Sequence, residues 1–191
     1  MDALEEPVGR QALDVATDRH VRDAEALDEV RDLDGTRLLD ELARAVKDIP
    51  QLTVVTNSVP VAQLLHESGA PGQTVVLTGG VRTPSDALVG PVAVSALRNL
   101  HVDLLFLGAH GVDGRTGLTT PNLVEAETNR ALVASARHVC LLADSSKWGT
   151  IGLSTFADLA DVDLFVTDNA FPERARDAAR ESVGSLEIVE A

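Results

Sequence analysis

Four segments of this sequence gather hydroxyl, amide, imidazole and ammonium groups, or glycines, directly after short apolar runs. Thr56-Asn57-Ser58 offers side chains that can cap a following helix and, with its first N–H groups, receive an anion. Thr78-Gly79-Gly80 permits positive φ and a close approach of backbone to a ligand. Gly108-Ala109-His110-Gly111-Val112-Asp113-Gly114 is a long polar loop in which His110 and Asp113 could hydrogen-bond the hydroxyls of a sugar. Ala143-Asp144-Ser145-Ser146-Lys147-Trp148 sets a lysine after two serines, where it can neutralise a phosphate as a point charge. Glu125 and Glu127 open the next helical stretch; such carboxylates suit the helix dipole, and one facing a cleft binds a hydroxyl. Each feature alone has a bland explanation: an N-cap, a tight turn, an exposed histidine, a surface lysine. Their co-occurrence is what points to a binding cleft.

The segments converge only if the elements between them build one sheet. Strands are predicted at Leu52–Val55, Thr74–Leu77, Val102–Leu107, Val139–Leu142, Leu164–Thr167 and, as an edge, Leu186–Val189. Helices are predicted at Pro60–His66, Pro91–Leu100, Leu123–Arg137 and Pro172–Val183. Val102–Leu107 is too continuously apolar for one-sided burial and is assigned a central parallel position. Strands alternating with helices argue for an α/β fold, a mostly parallel sheet flanked by helices. Ligands bind such sheets outside the carboxyl ends of the strands, where the four segments fall. Asp23–Val46 reads as helical, with apolar residues at spacings of three and four, until Pro50 ends the pattern. The first 48 residues show no clear strand. Residues 1–26 read as a linker-like segment and residues 27–191 as a single α/β domain.

Composition narrows the function. Aromatics make up only 3% of the 191 residues, so Val, Leu, Ile and Ala must fill the core of one domain. No run of eighteen apolar residues suggests a membrane span, and the acidic start lacks the layout of a secretory signal. The single cysteine, Cys140, rules out a disulfide framework and most zinc sites, so no metal or other cofactor is expected and a cytoplasmic location follows. Asp and Glu outnumber Lys and Arg by 30 to 16, and no basic cluster stands out that could release counterions from nucleic-acid phosphates. This chain by itself is not expected to bind DNA.

The runs LTVVTNSVPVAQLL, VVLTGGVRTPSDALVGP, VDLLFLGAHGVDGRTGLTTPNLVEAETNRALVASA, LLADSSKWG and VDLFVTD follow one another across residues 52–168. In this order they resemble the effector-binding domain of DeoR-type transcriptional repressors. The resemblance implies a Rossmann-like single domain of the ribose-5-phosphate isomerase and CoA-transferase type, and an effector that is a phosphorylated sugar or polyol. It implies an effector cleft lined by the loops of Thr56, Asn57, Ser58, Gly79, Gly80, His110, Gly111, Asp113 and Lys147, beside which Glu125 and Glu127 are candidates. It also implies self-association, so a homo-oligomer is expected.

Two departures from the family pattern stand out. The 48 residues before Ile49 show no winged helix-turn-helix, and Glu6-Pro7 with Arg10 looks like the linker that follows one. The family's phosphate loop is an apolar strand, an Asp, a small residue and Gly-Thr-Thr-Thr opening a helix. Here Val30–Leu39 compresses that region, with the strand largely missing; Gly35 and Thr36 remain, and Arg37 stands where a hydroxyl belongs. Arg37 could grip phosphate in a bidentate contact, and weakened or altered effector binding is the expectation. The leading reading is a sensor rather than an enzyme. A sugar-phosphate isomerase, with Asp113, Glu125 and Lys147 as raw material, and a ligand-blind oligomerisation remnant are the alternatives.

Overall fold

The computed structural model describes residues 12–16, 38–68 and 70–190. Strand β1 (Ala12–Ala16) is followed by α1 (Leu38–Val46), β2 (Thr53–Thr56), α2 (Val59–Ser68) and β3 (Thr74–Leu77). A short hairpin, β4 (Val81–Arg82) and β5 (Leu88–Val89), leads into α3 (Pro91–Leu97) and β6 (Val102–Leu107). A second hairpin, β7 (Gly111–Asp113) and β8 (Gly117–Thr120), precedes α4 (Leu123–Ser135) and β9 (Ala136–Leu142). The chain closes with β10 (Ser154–Ala157), β11 (Leu164–Asp168), α5 (Glu173–Ser182) and β12 (Ser185–Val189).

Among the described residues the main sheet has seven strands in the order β12-β11-β9-β6-β1-β2-β3. All run the same way except β1, which is antiparallel to both β2 and β6. Strands β10, β8 and β7 form a small antiparallel sheet beside it. The side-chain period of two explains why β6 reads as apolar sequence from Leu104 to Leu107, on both faces. Leu105 and Leu107 pack on one face with Leu132 of α4 and Ala179 of α5, while Phe106 packs on the other with Leu42 of α1 and Val61 and Leu65 of α2. Both faces are therefore dry, and each buried leucine contributes roughly 1.5–3 kcal/mol. Cys140 lies in the second of these layers, where burial pushes its thiol pKa up and keeps it from reacting.

Several expectations need correction. The first 48 residues do carry a strand: β1 sits mid-sheet, within the segment expected to be a linker. Five residues with an aspartate among them and charged residues around them give no local strand signal. The pairing comes from the edges of β2 and β6, whose N–H and C=O groups need partners. The central place of β6 is observed, with a parallel neighbour in β9 but an antiparallel one in β1. The segment expected to be one long polar loop after β6 instead forms β7 from Gly111 to Asp113. Helix α4 ends at Ser135, and Ala136 pairs directly with Val102, so no loop separates helix from strand. Of the helix expected over Asp23–Val46, the described part is Leu38–Val46.

Candidate functional site

At the end of β2 the three polar residues are buried and engaged. The Ser58 hydroxyl accepts the Val61 N–H at 3.2 Å as the cap of α2, and the Thr56 hydroxyl accepts the Ser58 N–H at 3.0 Å. Asn57 holds the β4–β5 hairpin: its carbonyl accepts the Leu88 N–H at 2.7 Å and its side-chain amide donates to the Leu88 carbonyl at 3.3 Å. Gly79 and Gly80 begin that hairpin with φ of 74° and 125°. A Cβ on Gly80 would lie 2.6 Å from the Val89 carbonyl oxygen, so glycine is required there by the turn itself.

The β7–β8 hairpin separates two carboxylates. Its register pairs Gly111 with Thr119 and Asp113 with Gly117, which puts Asp113 at the tip and His110 at the base. One Asp113 oxygen accepts the N–H groups of Arg115 and Thr116 at 3.0 and 3.1 Å and the Thr116 hydroxyl at 3.3 Å. These bonds hold its carboxyl below the ordinary aspartate range, led by the Arg115 N–H. Glu125 is different. Asn122 caps α4 by accepting the Val124 and Glu125 N–H groups, which fixes the helix start. Glu125 is then buried beside Thr120, whose hydroxyl donates to it at 3.0 Å. Burial raises its pKa, and the Thr120 bond offsets that in part.

The turn after β9 is held from outside. Ser145–Lys147 forms one 3-10 turn whose first N–H, from Ser145, donates to the Asp168 carboxylate at 2.6 Å. The Ser146 N–H donates to Asp144 at 3.0 Å, as does the Ser146 hydroxyl. Trp148 anchors the far side, stacked on Phe165 and edge-on to Phe171 with ring centres 6.4 and 5.0 Å apart. The Gly149 N–H donates to the Val112 carbonyl at 2.8 Å, tying the turn to β7. Contact there is so close that a Cβ on Gly111 would stand 2.1 Å from the Thr150 carbonyl oxygen.

Residues 33–169 match the family model described as the DeoR C-terminal sensor domain. The chain belongs to the DeoR family. It is 41% identical over 138 residues to the HTH-type transcriptional regulator GlpR of Haloferax volcanii, covering 72% of this chain and 53% of that protein. It is 31% identical over 151 residues to a putative aga operon transcriptional repressor of Escherichia coli O157:H7, covering 78% and 55%. It is 33% identical over 138 residues to the HTH-type transcriptional regulator GolR of Listeria innocua, covering 72% and 54%. The chain thus spans about half the length of these relatives, which are named as regulators and not as enzymes.

Within this DeoR sensor domain the candidate residues divide into groups. His110 and Gly111 at the base of the hairpin, Thr120 with Glu125, and the turn bearing Lys147 share one neighbourhood through the Gly111–Thr119 pairing and the Gly111–Thr150 contact. Asp113 stands at the opposite end of the hairpin, and Glu127 faces solvent on α4 while Glu125 is buried. Thr56, Asn57 and Ser58 lie against the β4–β5 hairpin with Gly79 and Gly80 at its start. Gly35, Thr36 and Arg37 lie outside the described residues, immediately before α1. Sequence reasoning missed Thr120, Asn122 and Asp168; the last had a usable signal, since it ends an apolar strand in VDLFVTD. Among the described residues no group of three or more His, Cys, Asp or Glu could hold a metal ion, and no helix is long and apolar enough to cross a membrane.

Proposed function

We propose that this chain is the phosphosugar-responsive sensor of a DeoR-type regulator of carbohydrate metabolism, with Lys147 as a phosphate contact and the Glu125 carboxylate as a hydroxyl acceptor. The observation that carries the reading is the turn after β9. Both serines direct backbone N–H groups to aspartates, and the positive charge that this turn carries is the ammonium of Lys147. The phosphate contact here is a point charge and not a cradle of N–H groups. Glu125, buried at the start of α4, is suited to accept a polyol hydroxyl on its carboxylate. Gly35, Thr36 and Arg37, next to the start of α1, complete the phosphate site in this reading.

Effector binding shifts the domain between states and so alters how an attached or partner DNA-binding unit meets its operator. The domain acts in the cytoplasm as a homo-oligomer and takes its DNA contacts from that unit, since its net charge of −14 disfavours a direct grip on phosphates. A thermal-shift panel of phosphorylated sugars and polyols tests the reading. A ligand at a hundred times its Kd adds about 2.7 kcal/mol of stability, and Lys147→Ala abolishes the shift. A folded protein that no member of the panel stabilises refutes it.

A further inference from the structure

Asp168 ends β11, yet its carboxylate is committed to the loop of a different strand. One oxygen accepts the Ser145 N–H at 2.6 Å and the other accepts the Ala170 N–H at 2.9 Å. Both contacts are charge-assisted, and the first crosses from β11 to the turn that follows β9. Ser145 is the first residue of the 3-10 turn, and the turn's own bonds run from Lys147 N–H to Asp144 carbonyl and from Trp148 N–H to Ser145 carbonyl. On the far side Trp148 sits among Phe165 and Phe171, and Gly149 donates to Val112. Lys147 is therefore carried between two anchors. The aromatic one fixes the exit of the turn and the Asp168 carboxylate fixes its entry.

We propose that Asp168 is a positioning residue for Lys147. Its carboxylate holds the Ser145 N–H and thereby sets where the Lys147 ammonium stands at the carboxyl end of the sheet. The two aspartates of this region divide the work. Asp144 closes the turn locally on Ser146, whereas Asp168 ties the closed turn to the sheet. The consequence for a phosphorylated ligand rests on the reading of Lys147 given above, but the positioning itself does not.

The sequence supplies its own internal reference for a test. Lys47 and Lys147 are the only lysines, and Lys47 lies just beyond α1, side by side with Asp48. Limited acetylation of the whole chain with acetic anhydride, read by mass spectrometry, gives the labelling ratio of Lys147 to Lys47. Asp168→Ala is expected to change that ratio by about threefold or more, as local opening frees the turn, and Asp168→Asn, which keeps one acceptor, gives an intermediate value. A general loosening of the fold moves both lysines together, so an unchanged ratio in a variant that still melts cooperatively overturns the proposal. Repeating the labelling with inorganic phosphate separates the two claims. Protection of Lys147 in the parent chain, lost in Asp168→Ala, supports both. A ratio that responds to Asp168→Ala without any phosphate protection in the parent upholds the positioning role and sinks the phosphate reading of Lys147.

Discussion

The tip and the base of the β7–β8 hairpin hold two acidic residues that look equally promising in the sequence. At the tip, Asp113 is half-buried and its carboxylate is tied to the next turn of its own chain, which holds its pKa down. At the base, Glu125 is buried, accepts a hydrogen bond from the Thr120 hydroxyl, and has its pKa pushed up by burial. A carboxylate that stabilises local backbone is stabilised by it in return. One that is desolvated with few donors is held at a cost, and such costs collect where a ligand supplies the missing donor. The difference therefore separates a turn-former from a ligand-facing group, although both are acids beside glycine-rich sequence.

The largest effect that sharpens this comparison is expected at the base. Gly111→Ala drives a Cβ to 2.1 Å from the Thr150 carbonyl oxygen, with the Thr119 hydroxyl only 2.8 Å away. Backbone is on the receiving side, so relief requires the turn bearing Lys147 to move. A loss of about 3 kcal/mol or more is expected in urea denaturation. A loss below about 1 kcal/mol would show that the turn does not seat on β7 and that the base is no assembled site.

How far the fold was legible follows from where the signals lie. The strand Val102–Leu107 and the strand Thr74–Leu77 coincide with β6 and β3, because apolar β-rich runs bounded by polar residues signal themselves locally. Strand β1 did not, because its place depends on pairing with β2 and β6 and not on its own composition. The candidate residues divide the same way. Lys147 and Glu125 could be singled out by type and position at an element's end, but whether Asp113 serves a ligand or a turn is decided by hydrogen bonds to Arg115 and Thr116. Asp168 was passed over because its partner, Ser145, is remote in sequence and adjacent only once β9 and β11 pair.

An intermediate effect is expected at the tip. Asp113→Ala removes the acceptor for two N–H groups and one hydroxyl and should cost roughly 1 kcal/mol; Asp113→Asn, whose carbonyl oxygen can take the same place, should cost less. Because the folded pKa is lowered, the ionised group contributes stability above the ordinary aspartate value, and that contribution is lost as pH falls through the lowered one. Neither change should alter ligand-induced stabilisation. A phosphorylated ligand that stabilises the parent but not Asp113→Asn would break the comparison by making the tip part of the site.

The smallest expected effect, and the one that tests the other side, is the pH dependence of Glu125→Gln. Burial raises the Glu125 pKa, so the folded protein keeps its proton over a range in which the unfolded chain has released it. Folding then takes up a proton, and stability falls as pH rises from the ordinary glutamate value through the raised one. Glutamine carries no such penalty and can still accept the Thr120 hydroxyl. Its melting temperature should match that of the parent below the ordinary glutamate value and exceed it as pH rises through the raised one, the margin then levelling off. A margin that stays flat with pH would mean that Glu125 ionises as freely as a surface carboxylate. The contrast with Asp113 would then lose its electrostatic basis, and the case for Glu125 as the hydroxyl acceptor would fall with it.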